Sequence, residues 1–436
     1  MKLLSKALVL AGTSLALRIE LQQPLDSRPE SALQPNPSSS SSKNDAPAYR
    51  DELVSLHKDL VDISSVTYDE YAVGNFLVDY LKERKFATEV QIVPSANTTG
   101  SDADERHRSA EAKPRFNVLA WPGSKPRPGS FPKVIVSSHI DTVPPFFPYS
   151  RTGDGGDETV IGGRGSVDAK ASVAAQVVAV QELLRARSVR AEDVMLLFVV
   201  GEERTGDGMR FFSETLASLD PPPPAGKIKA AIFGEPTEGK LACGHKGFFG
   251  CTITAYGKAA HSGYPWLGKS ANEILMRALV KILDADLGSS DEFGNTTINV
   301  GIIEGGVALN VVPEKAVARI AGRVAIGPEL EGGSIVKQRV LDILSSVDKD
   351  AFETECVNGY GVVKAACDVP GFEPITLNYG TDIPNFKGDH TRYLYGPGSI
   401  LVAHGANEAI KLKDLESGVE GYKKLILHVL SEETEL

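Results

Sequence analysis

The chain has 436 residues, of which 42% are hydrophobic and 24% charged, the balance of a globular protein long enough for two or three core-forming units. Its formal net charge of −11, with no long basic run, sets aside nucleic acid and anionic membrane surfaces as main partners. After the first seventeen residues no stretch is apolar for long enough to anchor the chain in a bilayer.

The chain opens with Lys2 and Lys6, an apolar stretch over 7–17, and the small-residue run Ser14-Leu15-Ala16. This reads as a signal peptide over 1–16 and implies a secreted, extracellular protein. Residues 17–47 are rich in Pro and Ser and bury too little apolar surface to repay ordering, which predicts a flexible linker or pro-segment. Leu53, Leu56, Leu60 and Ile63 then recur at helical spacing, and Phe76, Leu77 and Leu81 mark a second helix. Strand-like segments at 88–93 and 116–120 flank a polar insertion.

The run 134–141, VIVSSHID, is an apolar β-branched strand that ends abruptly in His139 and Asp141. Functional groups of open α/β sheets gather beyond the carboxyl ends of strands. Residues 171–185 read as a helix, 194–200 as a buried strand running into Glu202-Glu203, and 230–233 as another running into Glu235. Strands alternating with helices predict an α/β domain with a largely parallel sheet over 48–246. From 247 to 364 the order changes to β-α-β-β-α-β, the ferredoxin-like unit. That unit is inserted, because α/β character resumes at Leu401 and closes in a helix around 415–430, so 365–436 completes the first domain.

Four cysteines without CxxC spacing suit two disulfides or four buried thiols. The first and last strands of a ferredoxin-like unit are neighbours, which would bring Cys251 to Cys356, while Cys243 and Cys367 flank the two crossings between domains. Asn97 and Asn295 head glycosylation sequons. Residues 263–270 match the phosphate-loop pattern GxxxxGK[ST], but Pro265 lacks an N–H, Trp266 is bulky, and no good buried strand leads into them.

Taken alone, His139 reads more readily as a core histidine. The succession His139, Asp168, Glu202, Glu203, Glu235 and His404, each at or beside a strand end, reverses that reading. Carboxylates converging at one sheet edge repel unless cations neutralise them. Two histidines and three carboxylates suit two divalent ions such as zinc, with open positions for water.

The stretches SSHIDTVP, GRGSVDAKA, VVGEERTG, FGEPTEG, GKAAHSGYP, EGGVALNVVPE and YGPGSILVAHGANE run in one order from about residue 50 to the C-terminus. Together they resemble the M20 family of metallopeptidases, which includes glutamate carboxypeptidases, aminoacylase and acetylornithine deacetylase. The look is that of the fungal secreted carboxypeptidases. The resemblance implies a zinc-exopeptidase-like α/β domain with an inserted ferredoxin-like lid and two Zn²⁺ ions per chain. It implies that Asp168 bridges the ions, that Glu203 and His404 complete one, and that His139 and Glu235 complete the other. Asp141 would orient His139, and Glu202 would be the general base acting on a metal-bridged water. From the lid, His261 would stabilise the oxyanion, and Asn310 and Arg323 would hold the substrate carboxylate.

The chain departs from the family pattern at Ala171 and Gly201, where Gly and Asp are common. The function so implied is a secreted di-zinc metallo-carboxypeptidase acting on a peptide or N-acyl amino acid, with a small-molecule amidohydrolase or deacylase as the alternative. The chain would work as a hinge-closing monomer or as a homodimer through the lid.

Overall fold

The computed structural model describes residues 46–94 and 113–431. The leader at 1–16, nearly all of the linker, and Asn97 lie outside the described residues. Strands and helices are numbered here in chain order. Helix α1, Arg50–Asp62, buries Leu53, Leu56 and Leu60, and α2, Tyr71–Glu83, buries Val73, Leu77 and Leu81 at the spacing one helix face requires.

Six strands form the main sheet: β1 (Phe86–Ile92), β2 (Phe116–Pro122), β3 (Val134–His139), β4 (Val194–Val199), β5 (Ala230–Gly234) and β14 (Thr391–Tyr395). Their spatial order is β1-β2-β4-β3-β5-β14. The first two pairings are antiparallel and the remaining three parallel. Every residue of β3, β4 and β5 is buried, because both faces are covered. Val134, Val136, Leu196 and Phe198 pack with α1, with α3 (Lys170–Arg185) and with α7 (Leu412–Ser431). The alternate residues Ile135, Met195, Leu197 and Val199 pack on the other side with Met209 and Phe212 of α4, Asp207–Ala217. The parallel register sets His139 opposite Val199 and Ser138 opposite Gly234. Three neighbouring strands therefore end at one level, and the loops that follow them converge.

The inserted unit has a separate core. Strands β7 (Gly247–Tyr256), β9 (Thr297–Gly305), β11 (Lys315–Val324) and β12 (Phe352–Cys356) form an antiparallel sheet in the order β9-β11-β7-β12. Its buried residues pack under α5 (Ala271–Asp284) and α6 (Gly332–Val347). Cys251 and Cys356 face each other across β7 and β12 and are bonded. Strand β6 (Leu241–His245) leads into the insertion, and Val363 pairs back onto His245 on the way out. The Cys243–Cys367 disulfide ties the two crossings together.

Within 365–436, regular α/β structure resumes before Leu401. Strand β13 (Pro374–Leu377) joins β6, and β14 takes the edge of the main sheet. The short run Tyr393-Leu394-Tyr395 follows charged residues and carries no sequence signal of its own; its burial beside β5 makes it a strand. In the phosphate-loop lookalike, Ser270 caps α5 by accepting from the N–H of Glu273, and Lys269 pairs with Asp348 at 2.5 Å. That Lys-Ser pair is occupied within the lid itself.

Candidate metal centre and active site

Asp168 sits between two histidines. His139 Nε2 lies 3.0 Å from its Oδ1, and His404 Nε2 lies 3.2 Å from its Oδ2. Glu235 is 3.8 Å from His139, and Glu203 is 3.1 Å from His404. The groups thus form two triads that share Asp168: His139, Asp168 and Glu235, and Asp168, Glu203 and His404, each with ligand atoms within 4.8 Å of one another. The first is fully buried, whereas the second includes the half-exposed His404.

His139 Nδ1 lies 2.9 Å from the carbonyl oxygen of Asp141. A carbonyl only accepts, so Nδ1 carries a hydrogen, which leaves Nε2 as the nitrogen that donates to the Asp168 carboxylate when protonated or gives its lone pair to a metal ion. Asp141 therefore fixes the ring through its backbone; its carboxylate is 3.7 Å from Nδ1. That carboxylate accepts instead from the N–H groups of Glu202 and Glu203 and from the hydroxyl of Thr67. One residue thereby aligns the histidine and the glutamate pair.

The site is starved of cations. Among the described residues, no Lys or Arg forms an ion pair with Asp168, Glu203 or Glu235, and Glu203 Oε1 is buried without a hydrogen-bond partner. Burial, followed by the nearby Asp168 charge, pushes the Glu203 carboxyl up to about 7. Burial and Glu235 hold Glu202 well above the usual carboxylate range, and burial does the same to Glu235. Burial opposes charge on His139, but the surrounding carboxylates raise it well above its ordinary value. Asp168 and Glu203 at hydrogen-bond distance raise His404 to about 10. Positive charge is called for between these groups, and their N and O donors suit divalent metal ions.

Two buried charged pairs brace the cluster. Glu408 Oε1 accepts from the N–H groups of Val167 and Asp168, its Oε2 lies 2.6 Å from Arg164 Nη1, and Arg164 Nη2 donates to the carbonyl of His404. This pair ties the Asp168 and His404 loops together. Both residues stand in motifs that resemble the family, GRGSVDAKA and HGANE, yet Arg164 and Glu408 carry no metal-ligand signature that would single them out. The second brace is Arg115, which binds Glu70 through two nitrogens at 2.9 Å and Asp207 at 2.7 Å. A Cβ on Gly201, which has φ +79°, would lie 2.0 Å from Asp207 and 2.5 Å from Arg115. Only glycine fits there, which accounts for the departure from Asp at that position. Ala171, the other departure, is fully buried in the first turn of α3.

The lid residues are divided. Arg323, near the end of β11, reaches the first domain: a Cβ on Gly380 would sit 3.2 Å from its Nη1 and 2.6 Å from the Tyr360 hydroxyl. Tyr360, like the buried Tyr379 and Asp382, feels the charge of the cluster and went unmarked in the sequence because no motif carries it. His261 lies on β8 (Ala260–His261), which pairs with β10 (Val311–Val312), and the N–H of Ser262 donates to the carbonyl of Asn310. His261 and Asn310 are neighbours, both exposed, and this short ladder continues the β7–β11 ladder beyond Lys315. They stand at the opposite end of the lid from Arg323. Asn295 is exposed in the lid, and His57 and His245 are buried and hydrogen-bonded away from the two triads.

A sheet whose parallel strand ends gather two triads of metal-binding groups, with an inserted α+β lid, defines a metal-dependent hydrolase of the exopeptidase kind. A model described as a peptidase dimerisation domain matches residues 243–350. The chain is 54% identical over 401 residues to a peptidase M20 domain-containing protein of Sordaria macrospora, covering 90% of this chain and 88% of that one. It is 46% identical over 393 residues to a probable carboxypeptidase of Aspergillus oryzae, covering 86% of each. In fold it is similar to a tripeptidase of Staphylococcus aureus, with TM-score 0.66, 21% identity, and 87% and 99% of the two chains covered. It is also similar to an M20 family metallo-carboxypeptidase of Sulfolobus solfataricus, with TM-score 0.62, 15% identity and the same coverage. The chain belongs to the M20 peptidase family.

Proposed function

We propose that the protein is a secreted di-zinc carboxypeptidase that cleaves a peptide or N-acyl amino-acid bond and releases a residue with a free carboxylate. The observation that carries this reading is Asp168, whose two oxygens each face one of the two triads. His139, Asp168 and Glu235 would hold one zinc, and Asp168, Glu203 and His404 the other. Bound there, the ions supply Lewis-acid polarisation and lower the pKa of water. Glu202, half-buried beside the cluster, takes a proton from the attacking water at its carboxylate and passes it to the departing nitrogen. Arg323, which has no ion-pair partner among the described residues, offers its guanidinium to the terminal carboxylate beside the Tyr360 hydroxyl. The relatives named probable carboxypeptidases support the carboxypeptidase reading. Two disulfides and an exposed sequon at Asn295 suit the oxidising route that the leader implies.

The reading includes a homodimer. Arg323 and Lys315 are eight residues apart on β11, roughly 27 Å along a strand, and His261 lies beyond Lys315. One rigid lid does not bring both ends to the same cluster, whereas a two-fold partner can supply His261 to the site that Arg323 serves. Met276, Val280 and Leu283 on one face of α5, and Ile302 and Ile303 on the edge strand β9, are exposed apolar residues suited to such an interface. The test is kcat/KM on dipeptides, N-acyl amino acids and their C-terminal amides. Free-carboxylate peptides should be cut best, and Arg323→Ala should penalise them while sparing the amides. Equal cleavage of the amides by the wild type would replace this reading with a general amidohydrolase.

A further inference from the structure

A second apolar surface surrounds His261 and Asn310, apart from the α5 and β9 faces. On one side Tyr264, Trp266 and Leu267 are 54%, 73% and 59% exposed; on the other Val307 and Leu309 are 87% and 104% exposed. The aromatic residues are in order: the Tyr264 ring lies 5.9 Å from that of His261, and the Trp266 ring meets Tyr264 edge-on at 5.5 Å. Residues 259–268 and 305–313 contain no Lys, Arg, Asp or Glu, in a chain that is 24% charged. A large apolar side chain left in water forgoes the free energy of burial, so a cluster of five such residues marks a surface that gains from being covered. On the metal-centre side the turn Ile400–Val402, just before His404, exposes Leu401 at 84%.

We propose that this surface is the apolar wall of the substrate site, and that it takes a large aromatic or branched aliphatic side chain on a residue flanking the scissile amide. The inference rests on reading His261 and Asn310 as substrate-binding groups. Their position selects the occupant. His261 Nδ1 accepts from the N–H of Gly263, which leaves its Nε2 and the Asn310 amide in the middle of the patch, and a dry subunit contact would strand those groups without partners. A substrate amide supplies those partners and places its side chain against Trp266 and Leu309. A charged side chain would lose water against the uncharged residues of the patch.

The experiment measures kcat/KM for the full chain with zinc on N-acylated dipeptides with a free C-terminal carboxylate, carrying Gly, Leu, Phe, Asp or Lys at each flanking position. Solution mass and metal content are recorded alongside. The wild type should favour Leu or Phe over Gly, Asp and Lys at one position by about 10-fold or more, and Trp266→Ala and Leu309→Ala should each compress that ratio several-fold. A preference for Asp or Lys overturns the inference, as does an equal loss across the panel. Loss of the dimer in either variant with no change in the ratio would make the patch a subunit interface and overturn it too. A wild type with bound zinc that cleaves no member of the panel removes the peptidase reading itself, and this inference with it.

Discussion

At the carboxyl ends of β3, β4 and β5, His139, Asp141 and Asp168 are buried and tied to neighbouring groups, whereas at the far end of the lid His261 and Asn310 stand in solvent. Asp141 alone holds a histidine and two glutamate backbones, and the Arg164–Glu408 pair joins two ligand loops. A site made of strand ends inherits the rigidity of the sheet, so its geometry exists before anything binds. The lid has a packed core as well, but His261 lies on a two-residue ladder at its tip and Asn310 just before the ladder's second strand. In the proposed reading they act only against a second surface, so the contrast separates a centre that one chain assembles from groups that a partner would have to complete.

Asp168→Ala should have the largest effect, because both triads share that carboxylate. We expect loss of both metals by elemental analysis and no measurable turnover. Two zincs per chain in that variant would break the picture of one preformed centre. Glu202→Gln removes a proton carrier but no proposed ligand. Turnover should fall about 10²–10⁴-fold with metal content intact.

The lid end of the comparison is sharpened by mixing chains. His261→Ala should cost about 10²–10³-fold in kcat by itself. Equal amounts of His261→Ala and Glu202→Gln chains, allowed to exchange, should recover about a quarter of wild-type activity, because half the dimers are mixed and each holds one intact site. No recovery in chains proven to have exchanged would return His261 to its own centre. Smaller again is the effect of Glu408→Gln, which loosens the brace but leaves the ligands. Zinc affinity, read by competition with a chelator, should weaken roughly 10–100-fold.

The mildest test concerns acid. The first domain buries His57, His245 and His390, and burial lowers each to about 4, whereas the lid's His261 is exposed. A histidine with a folded pKa of about 4 and an unfolded value near 6.5 binds more protons when unfolded, so its contribution is present above 6.5 and lost as pH falls to 4. For His57 that is about 3 kcal/mol in full, and roughly 2 kcal/mol between pH 6.5 and pH 5. Urea unfolding at pH 7 and pH 5 should show the loss, and His57→Gln should remove about a third of it, since three histidines share the shift.

Much of the site could be read from the sequence because its residues sit where apolar β-branched runs stop. Val134–His139, Val194–Val199 and Ala230–Gly234 are buried on both faces, and such strands announce themselves and their ends. The α5 and α6 helices and the strands of the lid were legible for the same reason, since periodicity reports which face is buried. The edge strand at 391–395 was not, because its burial comes from β5 and α7 rather than from any pattern within it. Nor were Arg164, Glu408, Arg115 and Asp382. Buried charge is tolerated only where distant partners meet it, and Arg164 and Glu408 are 244 residues apart.

The sequence by itself determined the sheet-and-lid class, the five candidate ligands and the glutamate pair, because each depends on local pattern and residue chemistry. Tertiary structure decided that Asp168 lies between the two histidines and that Asp141 holds its histidine by a carbonyl. It also decided that Arg323 and His261 occupy opposite ends of one lid. Those facts depend on register and crossing geometry, which bring together atoms that no spacing along the chain relates.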